Sequence, residues 1–215
     1  MPPLPSTVYV ILDPAVARGR SLLELLEQVL AGGCRLVQLR DKTTPWSVQW
    51  PLALELRARC RRAGAWLIVN DRVDVALALD ADGVHVGQDD LPAPAARRLL
   101  RAGMILGVST HDLGQARAAL AAGADYVAVG SMYPTGSKPG FQLVGPALLR
   151  QVRAEIPVPL VAIGGITEAN APEVMAAGAD AVAVISAVCA APEPAEATRR
   201  LLAAARREPA RGQER

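Results

Sequence analysis

The chain has 215 residues, 51% of them hydrophobic, with 23 basic and 21 acidic side chains and a formal net charge of +2. That length and apolar fraction suit one soluble domain with a sizeable core, and so small a net charge gives no basis for a nucleic-acid partner. Cys34, Cys60 and Cys189 are odd in number and lack close metal-ligand spacing, so neither a disulfide framework nor a zinc site is indicated, and a reducing cytoplasm is the expected location.

Residues 1–7 open with Met1-Pro2-Pro3-Leu4-Pro5-Ser6, which has neither the charged start nor the long apolar core of a signal peptide and reads as an extended tail. Residues 8–207 read as one barrel domain, and the polar residues 208–215 as a frayed end. No charge-free apolar run is long enough to span a bilayer, so no membrane partner is expected. Within the domain, strand-like runs alternate with Ala/Leu/Arg-rich stretches of helical length. In chain order the runs are Tyr9-Val10-Ile11-Leu12, Leu36-Val37-Gln38-Leu39, Trp66-Leu67-Ile68-Val69, Gly83-Val84-His85-Val86, Met104-Ile105-Leu106-Gly107, Tyr126-Val127-Ala128-Val129, Leu160-Val161-Ala162-Ile163 and Ala181-Val182-Ala183-Val184. Eight βα units in this length predict a single (β/α)8 TIM barrel, an α/β fold. Arginine clusters at 57–62 and 97–101 fall in the helical stretches and read as exposed faces.

An internal echo supports the barrel. Ala122-Gly123-Ala124-Asp125 and Ala177-Gly178-Ala179-Asp180 each precede a strand, with Ala31-Gly32-Gly33-Cys34 a weaker copy, and the glycine can close one helix and turn the chain into the next strand. A doubly wound open sheet is the rival architecture. It would want a glycine-rich phosphate turn after its first strand, where Leu12-Asp13-Pro14-Ala15 offers none.

Polar residues gather just after the strands, on the face where such barrels build active sites. After the second strand, Gln38-Leu39-Arg40-Asp41-Lys42 alternates, so that Gln38, Arg40 and Lys42 share a face while Leu39 and Asp41 point away. Three donors on one spot suit phosphate oxygens; the alternative is a solvated strand end with its charges paired to Asp41 or nearby acids. Asn70-Asp71 follows the third strand, Asp89-Asp90 the fourth and Ser109-Thr110-His111 the fifth. Asp71 and Asp90 would come from neighbouring strand ends. Two oxygen ligands beside open positions are what Mg2+ usually takes from protein, although salt bridges to Arg40 or Lys42 explain the pair equally well.

Thr135-Gly136-Ser137-Lys138 lies beyond the sixth strand, Gly164-Gly165 ends the seventh and Ser186 ends the eighth. Glycine backbone and hydroxyl at those last two places would form a neutral phosphate nest. Helix caps account for some of these polar residues singly, notably Asp112 and Thr167. His85 faces either the barrel interior or the helices, and a packed structural histidine is the preferred reading over a base. Lys138 as a Schiff-base nucleophile is disfavoured by its Pro139-Gly140 neighbours.

The ordered set Gln38-Leu39-Arg40-Asp41-Lys42, Val69-Asn70-Asp71, Gly83-Val84-His85-Val86-Gly87-Gln88-Asp89-Asp90, Gly107-Val108-Ser109, Pro134-Thr135-Gly136-Ser137-Lys138, Ile163-Gly164-Gly165-Ile166 and Ile185-Ser186 resembles thiamine-phosphate synthases over nearly the whole chain. The resemblance implies an enzyme that joins hydroxymethylpyrimidine diphosphate to a thiazole phosphate, or to its carboxylated precursor, and releases diphosphate. It implies that Gln38, Leu39, Arg40, Asp41, Lys42, Asn70, Ser109 and Lys138 bind the pyrimidine diphosphate, with Arg40, Lys42, Ser109 and Lys138 catalytic. Asp71 and Asp90 would hold Mg2+, and Thr135, Gly136, Ser137, Gly165, Ile185 and Ser186 would take the thiazole phosphate. The implied partners are these small molecules, with a homo-oligomer left open. Ser137 stands where many relatives carry threonine, which keeps the hydroxyl. The rival functions are a related thiazole tautomerase, which would have no use for the cation and carboxylate set, and a catalytically silent ligand-binding barrel.

Overall fold

Apolar runs that alternate in facing give strands that can be buried on both sides, and eight of them pair in parallel, in sequence order, into a closed barrel. The computed structural model describes residues 3–136 and 142–206. In chain order these form β1 (Val8–Leu12), α1 (Leu22–Ala31), β2 (Leu36–Leu39), α2 (Trp46–Arg62), β3 (Trp66–Asn70), α3 (Val73–Ala78), β4 (Gly83–Val86), α4 (Ala93–Leu99), β5 (Ile105–Thr110), α5 (Leu113–Ala121), β6 (Tyr126–Gly130), α6 (Gly145–Glu155), β7 (Leu160–Ile163), α7 (Ala171–Ala176), β8 (Ala181–Val184), α8 (Ser186–Cys189) and α9 (Pro194–Ala204). Ser137 and Lys138 lie outside the described residues.

The expected runs and the observed strands differ most at β5. Thr110 and Ser109 belong to that strand rather than to the loop after it, because their backbone continues the ladder with Val129 and Ala128 of β6. Of the two expected caps, Asp112 accepts from the Gln115 N–H at 2.7 Å and caps α5. Thr167 does not cap: Asn170 precedes α7, and its side-chain oxygen instead accepts from the Thr167 N–H at 2.7 Å.

The echo before the strands has a dual role. Gly33, Gly64, Asp80, Gly123 and Gly178, all at positive φ, each follow a helix. After Gly123, the Ala124 N–H reaches back to the Ala119 carbonyl while Gly123 bonds Leu120, the paired Schellman closure. The aspartate that follows does something the glycine reading did not anticipate. Asp125 accepts from the Leu106 N–H at 2.7 Å and from Arg97 of α4 at 2.9 Å; Asp180 does the same with Leu160 and Arg153, and Asp82 with Leu67 and Arg57. Each carboxylate thus ties a helix to the foot of the preceding strand, leaving the opposite end of the barrel for chemistry.

Two apolar layers result. The larger lies between strands and helices and includes Val10, Leu39, Leu67 and Val127; the smaller fills the barrel with Tyr9, Ile11, Leu36, Ile68, Ile105, Tyr126, Ala128, Val161, Ala181 and Ala183. Small residues make room for large ones, as barrel interiors require. A methyl group on Gly107 would overlap the Tyr126 ring, and one on Gly83 would overlap the Ile105 carbonyl. Cys34, Cys60 and Cys189 are free and buried, and burial holds the Cys60 thiol at about 12 and the Cys189 thiol at about 11, which removes them as nucleophiles. No helix among the described residues is long and apolar enough to cross a membrane.

Candidate active site

The β2 segment divides as its alternation predicts. Leu39 packs into the outer layer, while Gln38, only 2% exposed, turns inward. The ladder runs one residue past the strand, since the Arg40 N–H donates to the Leu12 carbonyl at 3.0 Å. The Arg40 guanidinium is then held by Asp13, a buried carboxylate that also accepts from the Ala15 N–H at 2.9 Å. Asp13 was not singled out in the sequence, although its place directly after β1 on the same rim was a usable signal. Lys42 reaches across to Asp71, with its Nζ 3.0 Å from Oδ2. Asp41 does not join them. Burial raises its carboxyl, but the N–H groups of Thr44 and Thr43, at 3.0 Å each, and the threonine hydroxyls together outweigh it, hold the carboxyl below the usual range and make Asp41 a turn-former.

The acidic side of the rim comes from β3 and β4. Asp71 sits at φ 63°, a left-handed position that aspartate tolerates, and its N–H donates to the His85 carbonyl at 2.8 Å. Asp90 accepts from the Gly87 N–H at 2.8 Å and lies within hydrogen-bonding reach of Asp71. Burial raises the Asp71 carboxyl first, the Asp90 carboxyl raises it further, and Lys42 opposes both without cancelling them. A carboxyl raised by burial and by a neighbouring carboxylate is part of a donor set that a divalent cation would relieve. No group of three or more such ligands occurs among the described residues, so a cation held here would have to take its remaining ligands from water or phosphate, as Mg2+ can. A cleft of about 410 Å3 lined by Asp71, Asp74, Asp90 and Leu91 opens beside the pair. Asn70 is half-buried at the end of β3, whereas Asp89 is exposed.

Beneath this rim a continuous hydrogen-bonded chain crosses the barrel. Gln38 Nε2 donates to the Tyr9 hydroxyl at 2.6 Å, and Tyr9 and Tyr126 hydroxyls lie 3.1 Å apart. Tyr126 is 2.8 Å from His85 Nδ1, and His85 Nε2 is 2.8 Å from Ser109 Oγ. Burial raises both phenols above their ordinary value, so both keep their protons throughout the neutral range. His85 therefore faces the interior and its ring is packed near-parallel to Tyr126, centroids 5.5 Å apart. Ser109, inward on β5, is delivered to the same mouth as Gln38. Tyr9 and Tyr126 stand in the first and sixth strand-like runs of the sequence, and nothing in one strand alone reveals that their hydroxyls meet.

On the far side, Gly164 and Gly165 follow β7 at φ 102° and 62°. Their lack of a side chain admits the loop after β6: a methyl group at Gly165 would stand 2.9 Å from Tyr133 Cβ, and Tyr133 N–H donates to the Gly164 carbonyl at 3.0 Å. These glycines thus hold the loop that leads into Thr135, half-buried, and Gly136, exposed, against the end of β7. Ile185 is half-buried and Ser186 exposed at the start of α8.

Known proteins share this barrel. Residues 8–188 match the thiamine monophosphate synthase family. A thiamine-phosphate synthase of Chloroflexus aurantiacus is 50% identical over 197 residues, covering 91% of both chains, and one of Methanospirillum hungatei is 46% identical over 194 residues, covering 90% of this chain and 94% of its own. A solved thiamine phosphate pyrophosphorylase of Pyrococcus furiosus superposes with a TM-score of 0.85 at 37% identity, over 93% of this chain and 95% of that one. With a closed eight-stranded barrel, a cation and carboxylate rim at its C-terminal mouth and relatives this similar over nearly its full length, the chain belongs to the thiamine monophosphate synthase family.

Proposed function

We propose that the two sides of the rim divide the work of thiamine-phosphate synthesis, the activity of this family. The cationic and acidic side, Arg40, Lys42, Asn70, Asp71 and Asp90 with Lys138, takes the pyrimidine diphosphate. The neutral side, Thr135, Gly136, Ser137, Gly165, Ile185 and Ser186, takes the thiazole phosphate. The observation that carries this reading is the meeting of Lys42 with Asp71 at 3.0 Å, beside Asp90, because it unites charges from three successive strand ends at one point.

Asp71 and Asp90 would hold Mg2+, which when bound offsets negative charge on the departing diphosphate. Arg40, fixed by Asp13, donates to the same oxygens from a preset direction, and Lys42 and Lys138 add their ammonium groups. Departure of the diphosphate leaves a pyrimidine-stabilised carbocation that the thiazole nitrogen captures. That sequence asks the protein to position reactants and stabilise charge, and it needs no strong base. The interior agrees, since His85 is engaged by Tyr126 and Ser109 rather than poised at the mouth.

Purified protein, both substrates and Mg2+ should yield thiamine phosphate and diphosphate in equal amounts, with loss of turnover on chelation. Arg40→Ala should lower the rate on the order of a hundredfold, the usual loss for one transition-state donor. Binding of both substrates with Mg2+ present and no product would reject the reading.

A further inference from the structure

The chain of side chains under the mouth has a direction. A tyrosine hydroxyl carries one proton, and when it accepts from one side in a buried chain that proton finds its acceptor in the next member of the chain. Gln38 donates its amide N–H to Tyr9, which sends the Tyr9 proton to Tyr126 and the Tyr126 proton to His85 Nδ1. His85 is then the neutral Nε2–H tautomer and donates to Ser109 Oγ. Both ends of the chain are thereby set. With its nitrogen committed inward, Gln38 turns its carbonyl Oε1 to the ligand as an acceptor. Ser109, accepting from His85, turns its own O–H outward as a donor.

We propose that Tyr9, Tyr126 and His85 are positioning residues that fix this polarity, and that through it Gln38 and Ser109 select an aminopyrimidine over the corresponding oxopyrimidine. An exocyclic amino group beside a ring nitrogen offers one donor and one acceptor, the complement of Gln38 Oε1 and Ser109 O–H. In the oxo analogue the same edge offers a carbonyl acceptor and a ring N–H donor, so both contacts oppose. The selection rests on the pyrimidine site proposed above. Packing holds the relay in register, because the Tyr126 ring occupies the space that Gly107 leaves, stands edge-on to Tyr9 with centroids 6.0 Å apart and stacks on His85. Reversing one end would require every link to reverse.

Tyr126→Phe keeps the ring and removes the central hydroxyl. Gln38 and Ser109 can then each rotate independently, and the preference they impose relaxes. Calorimetric binding of the amino- and oxopyrimidine diphosphates, with Mg2+ and without thiazole, should show wild type preferring the amino form and Tyr126→Phe losing roughly tenfold of that preference, the scale of one neutral hydrogen bond's orientation. Thiazole phosphate binding should stay within about twofold of wild type, since no relay residue reaches that side. Tyr9→Phe interrupts the chain one link earlier and should lose preference likewise, which keeps the test alive if one variant folds poorly. Independently of any ligand, long-range 15N spectra of the wild type at neutral pH should show His85 as the Nε2–H tautomer. Its signals are separable because His111 is the one other histidine, removable as His111→Gln. An Nδ1–H or doubly protonated His85, or an unchanged preference in both variants, overturns the proposal. Absence of turnover in the wild type would reject the proposed function instead, leaving the tautomer and binding results to judge the relay.

Discussion

Asp13 offers the sharpest test of how the rim works, because two physical effects there oppose each other. Its carboxylate lies against Arg40, so removing its charge frees positive charge for diphosphate, yet it also removes what aims the guanidinium. The structure lets the magnitudes decide. The Asp13 side chain is 4% exposed and the Arg40 side chain 18%, well short of the solvent screening that reduces surface pairs to about 1 kcal/mol or less. Breaking fully buried pairs costs about 3–5 kcal/mol, so Asp13→Ala should lose about 2 kcal/mol from the ion pair, between the two limits. The Ala15 N–H loses its acceptor as well, adding about 1 kcal/mol. Asp13→Asn keeps an oxygen for Ala15 and loses mainly the charge, which separates the two terms. If aim outweighs charge, as the burial argues, Asp13→Asn should lower kcat/KM for the pyrimidine diphosphate about ten- to hundredfold, at about 1.4 kcal/mol per factor of ten. Steady-state diphosphate release and urea unfolding of both variants supply the measurements. An Asp13→Asn enzyme with wild-type or better kcat/KM would show that the carboxylate merely competes with substrate for Arg40, and the positioning argument would fail.

Gly107→Ala should cost about 2–3 kcal/mol in urea unfolding by overpacking, since the added methyl overlaps a Tyr126 ring that has no free space to enter, and should weaken pyrimidine binding at the same time. Asp125→Ala should destabilise by about 2–3 kcal/mol, chiefly through the orphaned Leu106 N–H, and lower the melting temperature by roughly 5–10 °C, whereas Arg97→Ala should cost about 1 kcal/mol or less because that pair is partly exposed. Equal losses would mean that the ion pair carries the clamp. Asp41 has a carboxyl held below its unfolded value, so its stabilising effect is complete above the ordinary aspartate pKa of about 3.9 and disappears as pH falls through the folded value. The stability gap between wild type and Asp41→Asn should therefore be present at neutral pH and close in acid; a gap that widened on acidification would reverse the sign assigned here.

The barrel was legible because it is written in local patterns: buried runs at regular spacing, with glycine or aspartate closing the helices between them. The rim was legible for a related reason, since residues just beyond a strand inherit its facing. Gln38 turned inward and Leu39 outward as period two requires. Asp41 shows where that logic stops. It has the parity of an outward residue, but its conformation is decided by two threonine N–H groups farther along, which make it part of a turn. Ser109 lies within β5 rather than after it for the opposite reason. Its small polar neighbours look like a loop, yet Ala128 and Val129 pair with residues 109 and 110 and keep them in the sheet.

The chain from Gln38 to Ser109 draws one residue from each of five strands, and its meaning depends on barrel closure, which brings β1 and β6 within reach across the interior. No window of sequence contains two consecutive links of it. A buried tyrosine pair with a histidine could be read as tolerated core polarity, and its cost would be a reason to replace it with apolar side chains. Among the described residues no buried side-chain polar atom lacks a partner, so the cost is offset link by link. What apolar residues could not supply is direction: a chain of single-proton hydroxyls ending on Gln38 and Ser109 carries a donor and an acceptor to the floor of the mouth in a fixed order. On the proposed function, the charged rim would take a diphosphate on any alcohol, and it is the floor that would distinguish which ring the diphosphate is leaving.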